Sequence, residues 1–184
     1  MAIGLVGSEM CIRDSWFGGD GMIHAFHISN GKVSYLNRWM RTVKWKKEHE
    51  EQKALWSSGM DVMNNDPSVS NIETDGLANT AIVSHAGKIF ALEEAHAPFE
   101  FDQMTLESRG SYSFNNKLQG PVTAHPKIDP ITGELLFFGY MADGFFSNTI
   151  RYTAVSSDGN ISKSELIKAP FPCLLYTSPS PRDQ

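Results

Sequence analysis

A chain of 184 residues with 41% hydrophobic and 20% charged side chains has the composition of a globular protein, long enough to bury a sizeable core. Its 16 Lys and Arg against 21 Asp and Glu give a formal charge of -5, and no basic stripe offsets it, so nothing electrostatic favours a nucleic-acid partner. No apolar run approaches the ~20 residues of a membrane-spanning helix. The charges in MAIGLVGSEMCIRDS leave no apolar centre for a secretory leader, so a cytoplasmic protein is expected, with peripheral membrane contact left open.

The two ends look foreign. Leu5 to Ser15 back-translates into a DNA whose opposite strand encodes CLLYTSPSPR, the residues from Cys173 to Arg182. Two unrelated protein segments have little chance of encoding each other's opposite strand. That DNA resembles a transposase-type sequencing adapter. Residues 1–15 and 173–184 are therefore expected to be non-native, and residues 16–172 a window cut from a longer gene. Both cysteines, Cys11 and Cys173, fall in these ends, which removes disulfides and cysteine-held metals from consideration.

From Trp16 onward, short strand signals alternate with turns. Gly18-Gly19-Asp20-Gly21 leads into a strand, not a helix, so it reads as a tight turn and not a phosphate loop. Ile23–Ile28 and Lys32–Leu36 flank Asn30-Gly31, a strong hairpin signal. Val43–Trp56 is charged and free of Gly and Pro, which predicts a short helix with a solvated Lys/Glu face. Gly59–Ala78, rich in Asn, Asp, Ser and Gly, reads as a long loop. A second hairpin is expected from Thr80–Ser84 and Lys88–Leu92 about a turn at His85-Ala86-Gly87. A third pair joins Leu135–Tyr140 to Thr149–Val155, and Ser156–Asn160 then turns into Ile161–Ala169. The fold class predicted is all-β, made of antiparallel meanders as in a propeller, barrel or sandwich.

Six histidines are present, without an HExxH or a Gly-x-Ser-x-Gly elbow. His24 and His27 point to opposite faces of their strand, and His24 is expected to pack inward. His49 is expected in solvent, His85 in a turn, and His96 in an ambiguous loop. His125 stands between a short β-type run and Pro126, whose ring restricts it, which suits a metal ligand. Glu93 and Glu94 follow an apolar strand, so one carboxylate should turn inward, where a metal-binding histidine's second N–H is a common partner.

Three stretches in order, Trp16–Thr42, Asn79–Ser108 and Thr123–Tyr140 (TAHPKIDPITGELLFFGY), resemble the N-terminal third of the carotenoid cleavage oxygenase family, which includes lignostilbene dioxygenases. The resemblance implies a partial seven-bladed β-propeller and an Fe(II) held by four histidines. It maps the first iron ligand onto His125 and a glutamate orienting the histidine cage onto Glu94. The implied reaction uses dioxygen to cleave a conjugated C=C bond of a small hydrophobic substrate (an apocarotenoid, a carotenoid or a stilbene) into two carbonyl products. Lignostilbene-cleaving members resemble ALKE at the glutamate strand. Glu93 replaces that lysine here and would repel a phenolate, so a 4-hydroxystilbene loses its advantage over an apocarotenoid. Two alternatives stay open: a metal-free propeller acting as a binding or scaffold module, and an isomerase-type member of the family. The three other histidine ligands would lie beyond Pro172, so the chain by itself is expected to be inactive.

Overall fold

The computed structural model describes residues 2–6, 18–57, 65–70, 74–144 and 147–170, the first of these as backbone only. Trp16, Phe17, both cysteines, residues 58–64 and 71–73 of the long loop, and most of the two foreign-looking ends lie outside the described residues. Two compact units form: Met1–Glu93 with Ala97–Tyr112, and Glu94–His96 with Ser113–Gln184.

In the first unit, β1 (Ala2–Val6), β2 (Met22–Ser29) and β3 (Lys32–Trp39) make a three-stranded antiparallel sheet. β1 lies within the segment 1–15 and pairs with β2, from Ala2 opposite Phe26 to Val6 opposite Met22. The Asn30-Gly31 hairpin forms as expected. Both residues take positive φ, 49° and 71°, the turn whose twist matches that of paired strands. Ile23 and Ala25 are the residues β2 buries. This corrects the expectation for His24, which instead accompanies Phe26 on the opposite face and bonds the hydroxyl of Tyr35. His27 is exposed.

α1 spans Val43–Glu51, shorter than the Val43–Trp56 expected. Thr42 caps its start, its hydroxyl accepting the Trp45 N–H at 3.1 Å. Gln52 ends it by turning left-handed at φ 54°. The carboxylate of Glu48 then reaches past the helix end and accepts the N–H groups of Leu55 (2.9 Å) and Trp56 (3.0 Å). That capture folds the chain back and buries both side chains. The helix face is not wholly solvated either, since Lys44 is only 7% exposed.

β4 (Ala81–His85), β5 (Lys88–Leu92), β6 (Phe99–Phe101) and β7 (Ser108–Ser111) follow as a four-stranded meander. Its first hairpin turns on Ala86 and Gly87 alone, at φ 48° and 73°. His85, expected in the turn, instead ends β4 opposite Lys88 and is buried. Ile89, Ala91, Phe99, Phe101 and Leu106 close over Ile23, Ala25, Met40 and Ala78 to form the core of this unit.

The second unit carries one more meander: β8 (Lys127–Ile128), β9 (Leu135–Gly139), β10 (Thr149–Val155) and β11 (Ile161–Lys168), paired in sequence order. The alternation in β9 turns Leu135 and Phe137 inward. Phe137 meets Phe114 at 6.1 Å between ring centroids. Burial of each such side chain is worth about 1.5–3 kcal/mol.

Candidate functional site

The segment from Pro121 to His125 is pressed against the end of β9. Thr123 donates its N–H to the carbonyl of Phe138 at 2.7 Å. Closer still is the approach at Gly139, where a Cβ would stand 1.9 Å from the Pro121 carbonyl oxygen. Only glycine permits that contact. Val122, Thr123 and Ala124 are buried beneath it, and His125 emerges with 45% of its side chain exposed.

Glu94 meets this segment within the same unit. Its Oε1 lies 2.9 Å from Nε2 of His125. Its Oε2 accepts two hydroxyls, those of Tyr140 and Thr123, the latter at 3.3 Å. Oγ1 of Thr123 in turn accepts the backbone N–H of His125 at 3.2 Å. A closed circuit results: both the backbone and the ring of His125 are tied, directly or through Thr123, to one carboxylate. An ionised carboxylate only accepts, so the ring nitrogen facing it donates; in a neutral imidazole the other nitrogen then offers a lone pair.

An imidazole lone pair backed by a carboxylate on the other nitrogen is how histidine commonly ligates a transition metal. The pair fits one corner of a histidine-held iron site. Among the described residues, no group of three His, Cys, Asp or Glu side chains could hold a metal ion. Of the other histidines, His49 stacks on Trp45 at 4.7 Å, and His96 is partly buried in the link after Glu94. Glu93, also partly buried, ends the first stretch of the other unit. Thr123 and Tyr140 were not singled out by sequence reasoning. They are the first and last residues of the Thr123–Tyr140 stretch, but their hydroxyls meet Glu94 only once the loop and β9 touch.

The first unit holds a second polar group that sequence reasoning passed over. Lys44 Nζ sits 2.6 Å from Glu48 and 3.3 Å from Asp20, with all three side chains largely withdrawn from water. Burial pushes the Asp20 carboxyl up, ahead of the downward pull of the Lys44 charge. The group borders an open cleft of about 530 Å³ lined by Trp39, Trp45 and Trp56.

The family model described as RPE65, retinal pigment epithelial membrane protein, matches residues 9–177, running somewhat past 16–172 at both ends. Isoeugenol monooxygenase of Pseudomonas putida is 36% identical over 159 residues, which cover 86% of this chain and 33% of that protein. Lignostilbene-alpha,beta-dioxygenase isozyme III of Sphingomonas paucimobilis is 34% identical over 164 residues, covering 89% and 33%. The crystal structure of Pseudomonas brassicacearum lignostilbene dioxygenase superposes with a TM-score of 0.84 at 32% identity, covering 94% of this chain and 37% of that one. That likeness, with the consecutive antiparallel meanders, shows the fold class to be all-β, part of a β-propeller, with one short helix among the described residues. The chain spans about a third of the length of the curated relatives it matches.

Proposed function

The chain belongs to the RPE65/carotenoid oxygenase family, and from that premise we propose that residues 16–172 are the N-terminal part of a non-haem Fe(II) dioxygenase, with His125 as an iron ligand and Glu94 as the carboxylate that orients it. The substrate is a small hydrophobic conjugated alkene, of the apocarotenoid, carotenoid or stilbene type, cleaved at a C=C bond to two carbonyl products. Residues 1–15 and 173–184 are adapter-derived in this reading, and the enzyme is cytoplasmic. Among the described residues no helix is long and apolar enough to cross a membrane.

The observation that carries the reading is the 2.9 Å contact of Glu94 Oε1 with His125 Nε2, in a chain whose relatives are named as oxygenases. Ferrous iron, when bound, supplies the centre at which dioxygen is activated. The chain's own contribution is positional. Glu94 accepts the ring N–H of His125 and sets the plane of the ring. The buried Val122-Thr123-Ala124 segment, pinned to β9, limits how far the ring can travel. A neutral imidazole ligand also leaves the site's positive charge on the metal.

The test is iron content in a full-length protein carrying residues 16–172. Wild type should retain iron through dialysis, and His125→Ala should retain none. Unchanged iron in His125→Ala would remove His125 from the site. A wild type that folds without iron would favour the metal-free binding module. Oxygen-18 incorporated into both carbonyl products separates the dioxygenase from an isomerase-type member.

A further inference from the structure

We propose that the cleft beside α1 is a binding site for a neutral aromatic molecule bearing a hydroxyl, a simple phenol, whose O–H the buried Asp20 carboxylate accepts. At about 530 Å³ the cleft has the volume of a small-molecule pocket, and it lies wholly within the first unit. Neither His125 nor Glu94 lines it, so it does not rest on the iron reading.

Asp20 is the group left incomplete. Its side chain is 2% exposed, and Oδ1 takes Lys44 Nζ at 3.3 Å. Among the described residues Oδ2 has no hydrogen-bond donor. Burial raises this carboxyl despite the Lys44 charge, so the lysine alone does not offset the lost hydration. A second donor would. The turn that carries Asp20 is fixed in advance. The Gly19 carbonyl accepts the Asn79 side chain at 2.7 Å, while Gly21 donates to Leu77 and accepts from Met40, both at 2.8 Å. A Cβ at Gly21 would stand 2.0 Å from the Ala78 oxygen, so the turn sits directly on its neighbour.

The indoles favour a neutral ring. Trp39, at the end of β3, lines the cleft with no ring or cation stacked on it among the described residues. Trp45 is stacked by His49 and faced by Arg41 at 5.4 Å, and Trp56 is faced by Lys47 at 5.7 Å. An organic cation would meet indoles already engaged by cations, and would stand beside the Lys44 ammonium. An anion would be repelled by Asp20 and Glu48. A phenol avoids both costs: its flat ring suits Trp39, and its acidic hydroxyl offers Asp20 a stronger donor than water does.

The test is equilibrium dialysis against 2-naphthol, naphthalene and 1-naphthylmethylammonium, with the 184-residue chain and with a full-length protein carrying residues 16–172. Both proteins should bind 2-naphthol, on the order of tenfold more tightly than naphthalene, the gain expected of a hydrogen bond to a charged acceptor. The ammonium should bind more weakly than 2-naphthol. In Asp20→Asn the amide oxygen stays with Lys44, which leaves an NH₂ that cannot accept. The advantage of 2-naphthol over naphthalene should then disappear, with naphthalene itself unaffected. Trp39→Ala should weaken both ligands alike, because it removes the ring contact and not the acceptor.

Equal affinities for 2-naphthol and naphthalene in wild type overturn the proposal, and so does tighter binding of the ammonium. An undiminished preference for 2-naphthol in Asp20→Asn removes Asp20 as the acceptor and overturns it too. Binding by the 184-residue chain that is absent from the full-length protein means that the rest of the protein covers the cleft, which also counts against it. Circular dichroism checks that each variant folds. Should Asp20→Asn unfold, the wild-type comparison of the three ligands still decides, since it needs no substitution. None of these measurements involves iron, so the iron reading can fail in its own dialysis test while this one succeeds, and the reverse.

Discussion

Oε1 of Glu94 lies 2.9 Å from Nε2 of His125, and the second oxygen of the same carboxylate is held by the hydroxyls of Thr123 and Tyr140. One carboxylate therefore meets the imidazole directly and the backbone N–H of the same residue through Thr123. That restraint on the ring suits the iron-ligand role proposed for His125.

In the full-length enzyme, Glu94→Gln should lower iron retention or activity by about 10–100-fold, the usual cost of losing a carboxylate behind a metal-bound histidine. The expected loss comes from a ring no longer held by its carboxylate, so the fold should be intact. Iron per protein after dialysis against a weak chelator measures it. Wild-type retention with an unchanged melting temperature would take Glu94 out of the site.

Gly139→Ala should destabilise the chain far more than Gly87→Ala. The new methyl at position 139 would stand 1.9 Å from a backbone oxygen of Pro121, and backbone cannot rotate away as a side chain can. Overpacking of this kind costs about 1–3 kcal/mol or more. Gly87 has nothing within 4 Å, and only its φ of +73° resists a side chain, at about 1 kcal/mol. Urea unfolding midpoints compare the two. Equal midpoints would mean that the Pro121 segment does not rest on β9.

The strand meander was legible because its signals are local: Asn30-Gly31 and Ala86-Gly87 each need positive φ at two adjacent positions, and the residues beside them alternate or run apolar. His125 and Glu94 became candidates through motif resemblance, since spacing alone could not say which carboxylate meets which ring. Tyr140 was invisible because its role depends on a glycine contact between distant segments. The end of α1 was misjudged for a similar reason. Helix propensity favours Val43–Trp56, but Glu48 spends its carboxylate on the N–H groups of Leu55 and Trp56. Lys44, read as one more solvated charge, proved to be the cation of a buried group, because the Asp20 that meets it sits in a turn whose glycines drew attention away from its side chain.

Lys44→Met should cost about 3–5 kcal/mol, the penalty for stranding buried carboxylates without their cation. Its side chain is 9% exposed, against 2% for Asp20 and 11% for Glu48, so water cannot readily replace the ammonium. Adding Asp20→Asn to Lys44→Met should recover part of the loss, because one of the two stranded charges is then gone. Glu48 should tolerate the change better, as it keeps the Leu55 and Trp56 N–H groups. Denaturant unfolding of the single and double variants checks this. A loss below about 1 kcal/mol, typical of an exposed pair, would show that the group is solvated.

Asp20 should also leave its mark on the pH dependence of stability. Burial raises its carboxyl above the ordinary value of 3.8, and Glu48 adds to the rise, while Lys44 opposes it. A raised pKa means that the folded protein keeps a proton which the unfolded chain releases between 3.8 and the raised value. In that window the unfolded state binds fewer protons, so stability falls as pH rises. Below the window both states are protonated and the contribution is flat; above it the penalty is fully developed. Asp102, Asp129, Asp143 and Asp158 run the other way, their carboxyls lowered chiefly by hydrogen bonds, so their stabilisation is lost as pH falls beneath the ordinary value. The two effects occupy different sides of 3.8 and can be read separately. Asp20→Asn, which cannot ionise, should abolish the downward slope on the alkaline side of that value and leave the acid-side loss untouched. Urea midpoints of wild type and Asp20→Asn through mildly acidic pH measure the difference, and parallel profiles there would show that Asp20 ionises no differently in the fold than in the open chain.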